Sequence, residues 1–297
     1  MTDHRGDTTE DVHSPPRLTS IDVFAGVGGM SLGFEQAGFD VLAAVDSDPV
    51  HLAAHRFNFP MVEPLCSDAH DVTGDALVSA TEHGWRRLHP TGPGWSGRLD
   101  CLFGGPSCQG FSVIGRRDAA DSRNQLVFEF ARLVREISPR YFVLENVPGL
   151  LSPAYRSIVA TLVTYLESSG YDLGGGPFVL NARAFGVPQI RRRVFIVGTH
   201  RGERPTSHAQ VVGDNVTVVQ ALGDLPDADS FEELLESDEV TTRADASRRD
   251  DPLPSEYVVT LREGPLVDQH DLSTPRRWDR SKLAIKPLRP SSTPLLG

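Results

Sequence analysis

Cys108 is the residue of this chain best placed for covalent chemistry. It sits in the stretch Gly104-Gly105-Pro106-Ser107-Cys108-Gln109-Gly110-Phe111-Ser112. An apolar run, Leu99-Asp100-Cys101-Leu102-Phe103, comes just before and reads as a buried strand. Two glycines, a proline and a serine then make a constrained loop at the strand's end. A thiolate is the nucleophilic form of cysteine, and an ordinary thiol with a pKa of about 8.5 is only slightly ionised near neutrality. An isolated cysteine on such a loop is more often structural, so its neighbours along the chain must decide.

Those neighbours are polar groups at other strand tips. Thr19-Ser20-Ile21-Asp22-Val23-Phe24 reads as a strand that runs into Ala25-Gly26-Val27-Gly28-Gly29-Met30-Ser31, a glycine turn followed by a helix with Leu32, Phe34 and Ala37 inward. Glycines let backbone approach a ligand closely, and a helix N-terminus offers unpaired N–H groups. The dinucleotide pattern G-x-G-x-x-G is not met, because Ser31 holds its last position. A second strand, 41–45, ends in Asp46, where a carboxylate suits the two hydroxyls of a ribose. Asp48 is the expected cap of a helix starting near Pro49. Asp68 either accepts from an adenine amino group or ends a strand in a turn. The strand 140–144 leads to Glu145-Asn146-Val147-Pro148-Gly149, which reads equally as a site carboxylate or a helix cap. Gln189-Ile190-Arg191-Arg192-Arg193 opens a further strand, so alternation puts Arg191 and Arg193 on one face. They form a solvated basic edge or converge on an anion or carbonyl.

The elements that hold these groups alternate strand and helix from 20 to 198, with helices at 124–137 and 153–168 and a short strand at 178–180. This predicts an α/β, doubly wound parallel sheet. With 297 residues there is room for a sizeable core. The expected organisation is a disordered tail over 1–17, a catalytic and cofactor-binding domain over 18–200, and a partial target-recognition or linker region over 201–297. A short helix is expected within 216–225. Three cysteines, Cys66, Cys101 and Cys108, have no metal-like spacing, so no metal is expected and free thiols in a cytoplasmic setting are. No apolar run is long enough for a membrane span. The net charge of −11 argues against a whole-surface nucleic-acid binder. It is unevenly spread, however: residues 224–251 carry eleven acids against three arginines, and residues 271–297 carry six basic residues against two acids. A local polyanion site therefore stays open.

Taken together, these motifs resemble the DNA (cytosine-5) methyltransferases over about residues 20–200. Phe24-Ala25-Gly26-Val27-Gly28-Gly29 is similar to that family's S-adenosylmethionine loop, and Asp46 and Asp68 to its cofactor-binding acids. Cys108-Gln109 stands where the family has Pro-Cys-Gln. Glu145-Asn146-Val147 and Gln189-x-Arg191-x-Arg193 match two further motifs in the family's order. The resemblance implies a Rossmann-like methyltransferase sheet, S-adenosylmethionine as cofactor and double-stranded DNA as partner. It also implies roles: Cys108 as nucleophile at carbon 6 of cytosine, Glu145 at N3, Arg193 at O2 and Arg191 in support.

Two departures accompany the resemblance. Ser107 replaces the proline before the cysteine, with Pro106 one position earlier. The family's later Arg-Glu-Ala and Gly-Asn motifs have no counterpart before Gly297. The expectation is a fragment, a truncated pseudoenzyme or one half of a split enzyme, weak or inactive alone and completed by a second subunit. Cytosine methylation in RNA and a noncatalytic binding subunit remain alternatives. A nicotinamide dehydrogenase leaves the cysteine and arginine motifs unexplained.

Overall fold

The computed structural model describes residues 17–107, 125–206 and 216–222, and the backbone of two short strands, β9 (Leu266–Val267) and β10 (Pro275–Arg276). The expectations for the tail, Cys108 and the acidic stretch lie outside the described residues. The described residues group into two compact units: 17–107, 125–178 and 194–206 in the first, the remainder in the second.

In the first unit, β1 (Leu18–Val23), α1 (Gly29–Gln36), β2 (Phe39–Asp46), α2 (Pro49–Asn58), β3 (Glu63–Cys66), α3 (Gly74–Leu88), β4 (Cys101–Gly104), α4 (Leu126–Ile137) and β5 (Tyr141–Asn146) alternate in chain order. Then come α5 (Arg156–Ser168), β6 (Tyr171–Asp172) and β8 (Arg192–His200), the last preceded by β7 (Phe178–Asn181). The strand order is β3-β2-β1-β4-β5-β8-β6. Strands β1 to β5 pair in parallel.

The sheet is not parallel throughout. β8 runs antiparallel to both β5 and β6. The crossover through α5 skips one place, and β8 fills it from the opposite direction. Periodicity reports the faces of a strand and carries no information on its direction, so the sequence could not show this.

Both faces of the sheet are covered. On one, Ile21, Val23, Leu102, Phe142 and Leu144 pack with Val127, Phe130, Leu133 and Val134 of α4 and Leu162 and Leu166 of α5. On the other, Val41, Ala44, Cys101 and Phe103 pack with Leu52 and, beyond the end of α2, Phe59. The strands read as near-continuous apolar runs because both faces are buried. α1 does not present the face that its sequence predicts. Leu32 is 41% exposed whereas Ser31 is completely buried. Phe34 is partly buried and stacks on Phe103 with ring centroids 3.7 Å apart.

Candidate active site

The chain passes from β1 outward to β2 and β3, then returns to the other side of β1 as β4. Strand order reverses between β1 and β4, and ligands of open α/β sheets bind beyond the carboxyl ends of strands at such a point. The glycine loop follows β1, and the stretch leading to Cys108 follows β4.

The glycine loop is tightly turned. Phe24, Gly26 and Gly28 have φ of 66°, 55° and 96°. A phenylalanine in that left-handed region is costly, and such strain persists only where surroundings impose it. Here the Ala25 N–H donates to the Val45 carbonyl (2.9 Å), and the Gly28 N–H to the Ala25 carbonyl (3.0 Å). Gly28 caps α1 without any side-chain acceptor; the Ser31 N–H is taken by the Asp22 carboxyl, which leaves the Gly29 and Met30 N–H groups at the helix's N-terminus. A Cβ at Gly26 or Gly29 would meet open space. One at Gly28 would lie 2.2 Å from the Phe59 ring, so that face of the loop is the packed one.

Asp46, at the tip of β2, holds the loop from the side. Its Oδ2 accepts the Gly26 N–H (2.8 Å) and its Oδ1 the Asp48 N–H (2.9 Å). A carboxylate has about four acceptor positions, so two such bonds leave capacity for hydroxyl donors. Asp48 caps α2 as expected, with Oδ1 accepting the Val50 N–H at 2.8 Å. These bonds hold its carboxyl below the usual range. Asp68 closes a turn: Oδ1 accepts the His70 N–H (3.0 Å) and pairs with the His70 ring Nδ1 (2.7 Å). Both bonds lower the Asp68 pKa, and the side-chain bond raises that of His70.

Beyond β4, Pro106 is buried and Ser107 exposed. Asn146, 1% exposed, donates its Nδ2 to the Pro106 carbonyl at 3.2 Å. Its Oδ1 accepts the Val147 N–H at 2.9 Å. Glu145 reaches the same place, since a Cβ on Gly105 would lie 3.2 Å from Glu145 Oε2 and 3.8 Å from Met30 Sδ. Glycine at 105 therefore lets the β4 exit lie close under the Glu145 carboxylate and the start of α1. Of the other cysteines, Cys101 is buried, and burial pushes its thiol pKa far up. Cys66 is exposed.

In the second unit, β7 runs into a single helical turn, Ala182–Phe185, ahead of the start of β8. The Asn181 side chain accepts the Arg183 N–H (3.3 Å), Gly186 turns with φ 81°, and the Ala182 N–H donates to the Arg191 carbonyl (2.9 Å). Arg191 is exposed. Arg193, half-buried, donates Nη1 to the Arg192 carbonyl at 2.9 Å.

Sequence reasoning missed the Asn146–Pro106 bond. It also missed a buried cluster of Asp22, Ser31 and His55 beneath the glycine loop. An aspartate between Ile21 and Val23 in an apolar strand was the available signal, since a buried charge requires partners.

The C-5 cytosine-specific DNA methylase family matches residues 18–256. A doubly wound sheet with a glycine loop at its switch point is the frame of a Rossmann-like methyltransferase, and within that class this chain belongs to the C-5 cytosine-specific DNA methylases. Type II methyltransferase M.XorII of Xanthomonas oryzae pv. oryzae is 44% identical over 263 residues, covering 89% of this chain and 57% of that protein. Type II methyltransferase M1.HphI of Haemophilus parahaemolyticus is 36% identical over 221 residues, covering 73% of this chain and 55% of that one. A prophage-encoded DNA modification methyltransferase candidate from E. coli, known as a crystal structure, superposes with TM-score 0.57 at 35% identity, covering 71% of this chain and 56% of that chain. The chain spans about half the length of the curated relatives it matches. Among the described residues no helix is long and apolar enough to cross a membrane.

Proposed function

We propose that this chain carries the catalytic centre of a restriction-modification type enzyme that methylates carbon 5 of cytosine in double-stranded DNA, working in the cytoplasm. The S-adenosylmethionine site is the glycine loop Phe24–Gly29 with Asp46 and Asp68. Two observations support the fit: open space above Gly26 and Gly29, and spare acceptor capacity on Asp46. When bound, that cofactor supplies a methyl group on a positively charged sulfur.

Carbon 5 of cytosine is a poor nucleophile. Bonding of the Cys108 thiolate to carbon 6 pushes the ring's electron pair towards carbon 5 and makes it reactive. Glu145 shares a proton with N3, where negative charge would otherwise build up. Arg193 holds O2, and Arg191 braces its segment. After methyl transfer, water takes the carbon 5 proton, the C–H electron pair re-forms the double bond between carbons 5 and 6, and Cys108 leaves as the thiolate. The cytosine must leave the duplex to reach the thiol.

The observation that supports this reading most is the Asn146–Pro106 hydrogen bond. It ties the backbone leading to Cys108 to the strand tip bearing Glu145. A duplex containing 5-fluorocytosine tests the chemistry, because fluorine cannot leave as a proton does. The expected result is a covalent adduct with the wild type and none with Cys108→Ser. An adduct retained in Cys108→Ser, or lost in Cys66→Ser, would show that another cysteine reacts. The assay is run on residues 1–297 alone and with the product of the adjoining reading frame, which also tests for a second subunit.

A further inference from the structure

Three polar side chains meet in the dry interior under the glycine loop, and the proposed chemistry uses none of them. Ser31, in the first turn of α1, donates its hydroxyl to Asp22 Oδ2 at 2.6 Å. His55 Nε2 lies 3.0 Å from the same hydroxyl oxygen. Asp22 is 1% exposed, and Ser31 and His55 are completely buried. His55 Nδ1 is buried without a partner. An unpartnered lone pair is the milder burden than an unpartnered N–H, so the tautomer that fits has Nε2–H donating to Ser31. Burial also raises the Asp22 carboxyl to about 7 and lowers the His55 imidazole to about 4, so the site disfavours charge on either group.

The cluster brackets the loop. Asp22 stands two residues before Phe24 and Ser31 two residues after Gly29, so their bond closes the turn at its base. The end of α2 supports it from a second direction. His55 and Asn58, three residues apart, lie on one face of α2, and Phe59 follows just past its end. Asn58 Nδ2 donates to the Val27 carbonyl at 2.9 Å. The Phe59 ring and the His55 ring both lie where a Cβ on Gly28 would go, at 2.2 and 3.1 Å. Each element bordering the strained loop is thereby tied to a neighbour.

We propose that Ser31, clamped between Asp22 and His55, fixes the shape of the glycine loop, and that Ser31, His55 and Asn58 are positioning residues for the S-adenosylmethionine site. This rests on the cofactor reading above. The clamp touches no ligand; it acts by keeping the left-handed turn formed before the cofactor arrives, which spares binding the cost of ordering it.

Calorimetric titration of residues 1–297 with S-adenosylhomocysteine, paired with hydrogen–deuterium exchange, tests it. Ser31→Ala and His55→Ala are expected to weaken binding roughly tenfold and Asn58→Ala a few-fold, as loss of preorganisation requires. Loop amides of 24–31 should exchange faster while those of β4 and β5 hold. His55→Gln, which keeps an N–H near the Nε2 position, should restore affinity. Folded Ser31→Ala and Asn58→Ala proteins with wild-type affinity and loop exchange overturn the proposal. Should Ser31→Ala not fold, the exposed Asn58→Ala decides by the same two readouts. Failure of the wild type to bind S-adenosylhomocysteine defeats the cofactor reading instead, and the clamp is then judged by loop exchange alone.

Discussion

The two strand tips at the switch point are secured in different ways. The β1 tip is held by groups lying within about 35 residues of one another: Asp22, Phe24 to Ser31, Val45, Asp46, His55 and Asn58. The β4 tip is held from much further along the chain, by Asn146 on the Pro106 carbonyl across 40 residues. Glu145 and Met30 close over Gly105 in the same region. A loop whose supports are local can be formed once one βαβα unit is in place. The β4 exit needs β5 as well, so its shape depends on the central sheet being assembled. In the proposed mechanism the first tip binds and the second reacts, so perturbing them should divide affinity from rate.

Glu145→Ala gives the largest expected effect on that division. Removing a group that shares a proton with the reacting ring should lower kcat by about 10²–10⁴-fold. S-adenosylhomocysteine affinity, read by calorimetry, should stay within a factor of about two, since each factor of ten would need about 1.4 kcal/mol. A parallel collapse of affinity would mean that the two tips are one unit. Gly28→Val is the converse test. Its Cβ would overlap the Phe59 ring, and its φ of 96° is closed to a β-branched residue. A loss of stability of about 2–3 kcal/mol is expected, measured by urea unfolding, together with loss of cofactor binding. Asn146→Ala should act more mildly. It leaves the Pro106 carbonyl without this donor, at a cost of about 1–3 kcal/mol for an unsatisfied buried acceptor. Single-turnover methyl transfer should slow while calorimetric affinity holds; a change in affinity alone would assign Asn146 to the wrong tip.

The same distinction explains how much could be read from the sequence. The glycine turn, the Asp48 cap and the tip positions of Asp46 and Glu145 are local features, set by residue type and by alternation along a few residues. They stand in the structure where spacing put them. The alternation of strands and helices also carried the two-sided burial of the sheet. What was missed is relational. Nothing in 171–200 says that β8 enters the sheet antiparallel between β5 and β6. Likewise hydrophobicity points Leu32 inward, whereas the buried place belongs to Ser31 because Asp22 and His55 wait there with polar atoms to satisfy. In a fold tuned by a buried polar cluster, hydrophobicity misidentifies the inner face of a short helix.

The smallest expected effect concerns that cluster's response to pH. The Asp22 carboxyl is raised by burial from 3.8 to about 7, and the His55 imidazole is lowered by burial from 6.5 to about 4. As pH rises from about 4 to about 7, Asp22 in the unfolded chain gives up its proton before Asp22 in the fold does. Stability contributed by the protonated, buried form is lost through that window. His55 works the other way: the unfolded chain takes up a proton below 6.5 that the fold refuses until about 4, so stability is lost as pH falls through this range. Glu35, also raised by burial to about 7 despite its pairing with Arg17, adds a slope of the same sign as Asp22. An Asp22→Asn variant removes only the first of these. Its melting temperature minus that of the wild type should therefore move in the variant's favour between about pH 6.5 and pH 8, above the range in which His55 contributes, by a few degrees for each kcal/mol involved, with the Glu35 contribution cancelling in the difference. A difference that stays flat across that range would place Asp22 in contact with water, and the dry clamp under the glycine loop would lose its basis.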